Sequence, residues 1–285
     1  MGITVQENFG KIICTAEEIK ESEINLDFPS VGATENIILA ATLGKGITII
    51  RNAAMEPEIT DLQNFLNRMG AKIEGAGTNV IKIKGVHKLK DVSYNIMPDR
   101  IEAGTLLCAT AITGGRIQLE NVNIDNIKPV IYKLEETGCV IKTEKNTISL
   151  KAPKRLKAVD IRTMPYPGFP TDMQAIMGAM LTIAHGTSII TENIFENRFK
   201  YMQELQRLGA KIKIEGKTAI IKGTRKLYGS NVKSTDLRGG AGLVLAGLVA
   251  KGKTEIKDIK YILRGYENLD EKLNSLGAKI KILIN

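Results

Sequence analysis

The chain has 285 residues, 40 basic against 31 acidic for a formal net charge of +9, with 43% hydrophobic and 25% charged positions. That length predicts two domains, and the balance excludes a disordered or fibrous class. No apolar run approaches the roughly 18 residues that span a bilayer and the N-terminus carries no basic-then-apolar leader, so no membrane segment and a cytoplasmic location are expected.

In chain order, Gly2-Ile3-Thr4-Val5 and Lys11-Ile12-Ile13-Cys14-Thr15 read as strands. An apolar helix is predicted over residues 37–43, then a strand at Gly46-Ile47-Thr48-Ile49-Ile50. Leu62, Phe65, Leu66 and Met69 recur at three- and four-residue steps, the stripe of a helix packed by one side only. Gly70 closes that helix at the position where a left-handed residue is common, and Lys72-Ile73-Glu74 alternates as a half-buried strand does. The succession then returns with apolar helices over residues 101–112, 173–183 and 243–249, each followed by a glycine-led strand.

Two phrases keep the same period. The helix-closing glycines Gly70, Gly138, Gly209 and Gly277 are 68, 71 and 68 residues apart, and the strand-leading Gly46, Gly115, Gly186 and Gly252 are 69, 71 and 66 apart. Each unit reads as βαβαββ, with the apolar helix internal and the amphipathic one external, an α/β (α+β) lobe built from units of about 70 residues. The chain enters in the late strands of one unit and leaves at Ile280-Lys281-Ile282-Leu283-Ile284-Asn285 without a closing strand pair, so both terminal units are expected to be incomplete.

The charge pattern argues against nucleic acid: lysines such as Lys151, Lys154 and Lys157 are dispersed through connectors, and only 5% of residues are aromatic. Cys14, Cys108 and Cys139 show no metal or disulfide spacing, and His87 and His185 have no partner at ligand spacing, so neither metal nor cofactor is expected.

The phrases opening the apolar helices are Asp27-Phe28-Pro29-Ser30-Val31-Gly32-Ala33-Thr34-Glu35-Asn36, Pro98-Asp99-Arg100-Ile101-Glu102, Phe169-Pro170-Thr171-Asp172-Met173-Gln174 and Ser234-Thr235-Asp236-Leu237-Arg238. With Phe195-Glu196-Asn197-Arg198-Phe199 and Arg264-Gly265-Tyr266-Glu267, they resemble, in order and along essentially the whole chain, the UDP-N-acetylglucosamine 1-carboxyvinyltransferase (enolpyruvyltransferase) family. The related 5-enolpyruvylshikimate-3-phosphate synthases share the fold that this resemblance implies, two lobes that are inside-out α/β barrels. Residues 1–97 would be the C-terminal half of the first lobe, and residues 98–285 the second lobe without a strand supplied by an absent N-terminal segment.

The resemblance implies transfer of enolpyruvyl from phosphoenolpyruvate to the 3′-hydroxyl of UDP-N-acetylglucosamine, the first committed step toward peptidoglycan. Asp172 is the candidate base, although its position also suits a helix cap. Arg238 and Arg264 are candidates for gripping phosphoenolpyruvate, against the alternative of ordinary solvated or ion-paired arginines. Asp236 either orients a reacting group or caps a helix. Ser30, Val31 and Gly32 are expected to offer amides to the diphosphate, Ile194 to pack on the nucleotide, and Arg198 and Arg100 to line the cleft. An acidic residue is expected where Leu263 stands. The family's cysteine proton donor, in a glycine-rich loop followed by Arg-Pro, and its Lys-Asn pair have no match. The chain alone is therefore expected to be inactive, as a sugar-nucleotide-binding fragment or as one half of a split enzyme completed by an N-terminal polypeptide.

Overall fold

The helix-closing glycines explain the regularity of the repeat. Gly70, Gly138, Gly209 and Gly277 all have left-handed φ, at 102°, 96°, 92° and 101°, which lets each outer helix turn directly into the next segment. The computed structural model describes residues 1–283. It divides into one unit of Met1–Met97 with Pro165–Pro167, and a second comprising Pro98–Met164 and the chain from Gly168 onward.

In the first unit, β1 (Thr4–Asn8) and β2 (Lys11–Thr15) form an antiparallel hairpin. A complete repeat follows: β3 (Ser22–Asn25), α1 (Val31–Thr42), β4 (Ile47–Arg51), α2 (Pro57–Arg68), β5 (Lys72–Glu74) and β6 (Val80–Lys84). The sheet order is β3-β4-β6-β5; β3 and β4 run parallel, which requires the crossover that α1 provides. Ile38, Ile50, Ile59, Ile81 and Ile83 fill its core with no exposed surface.

The strands expected at the start of the chain are present, but one expectation for this unit changes. The β1–β2 hairpin is exposed along both strands, with Val5 64% and Phe9 fully exposed, because among the described residues no layer covers it. Helix α1 is not internal: only Thr34, Ile38, Ala41 and Thr42 are buried, and Leu39 and Leu43 are exposed. An apolar helix is buried all round only when sister helices surround it, and α1 is the one such helix described in its unit.

In the second unit three apolar helices are present together. Its first repeat is α3 (Arg100–Thr113), β7 (Arg116–Leu119), α4 (Lys128–Glu136), β8 (Val140–Glu144) and β9 (Thr147–Lys151), in a three-stranded sheet ordered β7-β9-β8. The next is β10 (Ile161–Arg162), α5 (Gln174–Leu181), β11 (Thr187–Thr191), α6 (Lys200–Arg207), β12 (Lys211–Glu215) and β13 (Thr218–Lys222), ordered β10-β11-β13-β12 as in the first unit. Where β3 and β10 pair parallel with β4 and β11, β7 has no such neighbour among the described residues. The last repeat holds β14 (Leu227–Tyr228), β15 (Asn231–Lys233), α7 (Leu237–Val249), β16 (Ala250–Lys251), β17 (Glu255–Lys257), α8 (Lys260–Leu263) and α9 (Leu269–Ser275). β14 pairs with β16 and β15 with β17, both parallel. Ile280 to Leu283 carry no strand; Ile284 and Asn285 lie outside the described residues.

Helices α3, α5 and α7 pack on one another around Leu107, Cys108, Ile176, Met177, Leu243 and Leu245, all without exposed surface. Helix α7 starts six residues before the predicted apolar segment, at Leu237 rather than Leu243. Its glycines are close-packing positions rather than breaks: a Cβ on Gly242 would stand 2.8 Å from the Ala175 carbonyl oxygen on α5. No described helix is long and apolar enough to cross a membrane.

Candidate active site

Asp172 sits in a single 3₁₀ turn, Thr171–Met173, that leads into α5. Its carboxylate makes no cap; the two oxygens receive two guanidinium groups, Arg198 Nη2 to Oδ1 at 2.6 Å and Arg238 Nη2 to Oδ2 at 2.8 Å. The capping alternative for Asp172 is thereby removed. Asp236 resolves the other way. It is the N-cap of α7, with Oδ1 accepting from the N–H groups of Arg238 and Gly239 at 3.1 and 2.9 Å and Oδ2 from the Thr235 hydroxyl at 2.9 Å. Its carboxylate is committed to fixing the backbone that carries Arg238.

Asp172, Ile194, Arg198, Asp236, Arg238 and Arg264 line one open cavity of about 690 Å³ in the second unit. The Arg198 guanidinium lies 4.8 Å from the Phe195 ring centre and that of Arg238 5.4 Å from the Tyr266 ring. Tyr266 is itself anchored by a 2.9 Å hydrogen bond between its hydroxyl and that of Thr105. Arg198 Nε and Arg238 Nε and Nη1 are buried with no protein hydrogen-bond partner, so both forks keep donors in hand. Arg264, exposed at the end of α8, pairs with nothing among the described residues.

The two arginines set the electrostatics of the site. Burial alone pushes the Asp172 carboxyl up, but Arg238 and Arg198 together outweigh it and hold the pKa below the ordinary aspartate value. Asp172 is therefore ionised at neutral pH, and its basicity is suppressed for as long as both arginines hold it.

The other predicted residues lie elsewhere. Arg100, the first residue of α3, is buried and does not line the cavity. Ser30, Val31 and Gly32 belong to the first unit. Ser30 caps α1 through a 3.3 Å bond from Ala33 N–H and spends its own N–H on the Phe28 carbonyl at 2.7 Å, so that amide is not available to an anion; those of Val31 and Gly32 stand in the first turn. Leu263 is half-exposed beside Arg264. Burial pushes the Cys108 and Cys139 thiols up, and Cys14 lies on exposed β2, so none is an activated acid beside the cavity. Among the described residues no cluster of three or more His, Cys, Asp or Glu is arranged to hold a metal. The lining residues Phe195, Lys200 and Thr235 were not anticipated, nor was Glu192 beneath them; a carboxylate immediately after the strand pattern Thr187-Ser188-Ile189-Ile190-Thr191 was the available signal.

The enolpyruvyl-transferase model described as EPSP synthase (3-phosphoshikimate 1-carboxyvinyltransferase) matches residues 1–273. UDP-N-acetylglucosamine 1-carboxyvinyltransferase 1 of Caldanaerobacter subterraneus is 55% identical over 280 residues, 98% of this chain and 68% of that protein. The protein of the same name from Carboxydothermus hydrogenoformans is 53% identical over 281 residues, 99% and 67% respectively. Among solved structures, the enolpyruvyl transferase NikO from Streptomyces tendae superposes with a TM-score of 0.86 at 25% identity, covering 98% of this chain and 69% of that one. EPSP synthase from Acinetobacter baumannii, at 22% identity and a TM-score of 0.72 over 99% of this chain and 69% of that one, shares the fold. The repeat architecture, the ordered phrases and these likenesses agree: the chain belongs to the enolpyruvyl transferases, in the UDP-N-acetylglucosamine 1-carboxyvinyltransferase family.

Proposed function

We propose that the cavity of the second unit takes phosphoenolpyruvate and the sugar of UDP-N-acetylglucosamine, and that Asp172 accepts the proton of the 3′-hydroxyl. The observation that carries this reading is the Asp172 carboxylate held between two buried guanidinium groups that keep unused donors, with Arg264 exposed on the same cavity. An incoming phosphate or carboxylate competes for the forks of Arg198 and Arg238, and each bond they transfer to it returns basicity to Asp172. The hydroxyl oxygen then bonds to the enol carbon, the carbon–oxygen bond to phosphate breaks, and the hydroxyl proton leaves with the products by way of Asp172. Arg238 and Arg264 stabilise charge on the departing phosphate. Ile194 packs on the nucleotide. In the first unit, the Val31 and Gly32 amides are proposed as an anion contact.

The addition also needs a proton delivered to the methylene carbon, which that carbon gives up again as phosphate leaves so that the product keeps its C=CH2 group, and none of the three cysteines is placed to give it. We propose residues 1–97 as part of one lobe and residues 98–285 as the second, and read them as the binding and base-bearing portion of the catalytic machinery, with the proton donor supplied from outside these residues. The unpaired edge of β7 supports this reading, because the equivalent strands elsewhere have a parallel neighbour. The test measures phosphate release from both substrates by the chain alone and with a polypeptide carrying a proton-donor loop. Release in the mixture, lost by a factor of roughly 10² or more in Asp172→Asn, is expected. Equal release by Asp172→Asn would refute the base, and equal release by the chain alone would refute a proton donor supplied from outside these residues.

A further inference from the structure

Glu192 is the residue immediately after β11, is 1% exposed and forms no ion pair among the described residues. Its carboxylate is nevertheless fully engaged. Oε1 accepts from the N–H groups of Ile194 and Phe195 at 2.8 and 3.1 Å and from the Thr163 hydroxyl at 2.9 Å; Oε2 accepts from the Thr171 hydroxyl at 3.0 Å. Thr163 extends the network, because its hydroxyl oxygen accepts from the Asn193 N–H at 2.9 Å.

These bonds join the two segments that meet at Asp172. Thr171 directly precedes Asp172 in the 3₁₀ turn, whereas Ile194 and Phe195 begin the connection that brings Arg198 to the same carboxylate. Neither segment has a sheet ladder to fix it: the connection runs from β11 to α6 and the turn precedes α5. A buried carboxylate with four donors is costly to desolvate unless every donor is in place, so it tolerates essentially one arrangement of both segments.

We propose that Glu192 is a positioning residue, which sets the spacing between Asp172 and the Ile194–Arg198 connection and thereby decides whether the sugar nucleotide is gripped. This inference rests on the reading of the cavity as the sugar-nucleotide site. Glu192 touches no substrate; it acts through Ile194, Phe195 and Thr171.

The test compares wild type with Glu192→Ala, Glu192→Gln and Leu150→Ala, the last a destabilising control in β9 whose side chain is 2% exposed. The readouts are amide hydrogen exchange by NMR and calorimetric titration with UDP-N-acetylglucosamine. In Glu192→Ala the Ile194 and Phe195 amides are expected to exchange about tenfold faster or more while β11 and β13 keep their protection, and nucleotide affinity to fall about tenfold or more. Glu192→Gln, which keeps one carbonyl oxygen for the same three donors, stays within about threefold of wild type in both. Unchanged exchange in Glu192→Ala, the same changes in Leu150→Ala, or a glutamine variant as impaired as the alanine one would overturn the proposal. If Glu192→Ala does not fold, Thr171→Val replaces it: it removes only the Oε2 bond, so weaker nucleotide binding with unchanged Ile194 and Phe195 exchange is expected, and unchanged affinity overturns the proposal. A wild-type chain that binds no nucleotide would sink the site reading, and the exchange measurements alone would then decide the role of Glu192.

Discussion

Replacing Asp172 by asparagine removes the one charge that two partly buried arginines share. The Arg198 and Arg238 side chains are 16% and 13% exposed, and the Asp172 side chain 38%. Hydrogen bonds to charged groups contribute about 1.5–3 kcal/mol each. Asparagine keeps one carbonyl oxygen for one guanidinium, and water at the open cavity solvates part of the released charge, so the net loss is about 2 kcal/mol. For a unit of this size that lowers the melting temperature by roughly 4–8 °C, read by scanning calorimetry at neutral pH. The variant should also gain a ligand: with both forks released, inorganic phosphate binds the folded state more tightly than in wild type, and at ten times its Kd it restores about 1.4 kcal/mol. Coincident melting curves for the two proteins, together with no greater phosphate stabilisation of the variant, would refute the picture of a carboxylate restraining two substrate-binding arginines.

The depressed pKa of Asp172 adds a pH signature. Because the folded value lies below the unfolded one, the stabilisation is complete above about pH 4–5 and is lost as pH falls through the folded value. The difference in melting temperature between wild type and Asp172→Asn should therefore be constant from pH 6 to 8 and close under more acid conditions; a gap that widened on acidification would contradict the assignment. Gly242→Val tests the helix core: its added carbons meet the Ala175 carbonyl, and a loss of about 1–3 kcal/mol in denaturant unfolding is expected, whereas unchanged stability would show that α5 and α7 are not in such close approach.

The repeat was legible because its markers are local. A glycine that must take a left-handed φ after each outer helix leaves a periodic trace whatever the tertiary context, and the alternation of Lys72-Ile73-Glu74 reports a strand without knowledge of its partner. The start of α7 was not legible, because glycines that read as helix breakers are close-packing positions, Gly239 against Tyr201 of α6, Gly240 against Ile262 of α8 and Gly242 against Ala175 of α5, visible only once the helices are packed. The exposure of α1 depended likewise on how many inner helices share its unit. At the site, the phrase resemblance singled out Asp172, Arg198 and Arg238, but not that they form one charge cluster: the partners lie 26 and 66 residues away in sequence, and the sign of the Asp172 shift follows from them rather than from burial. Glu192 escaped notice for the same reason, since its donors come from three separated segments.

The central claim is that the arginine-flanked cavity receives phosphoenolpyruvate beside a bound sugar nucleotide. Calorimetric titration of phosphoenolpyruvate into the chain saturated with UDP-N-acetylglucosamine tests it most directly, with Arg238→Ala alongside. Saturable binding by wild type, weakened about tenfold or more by the substitution, is the predicted result; no binding by wild type, or the same affinity in Arg238→Ala, would contradict it.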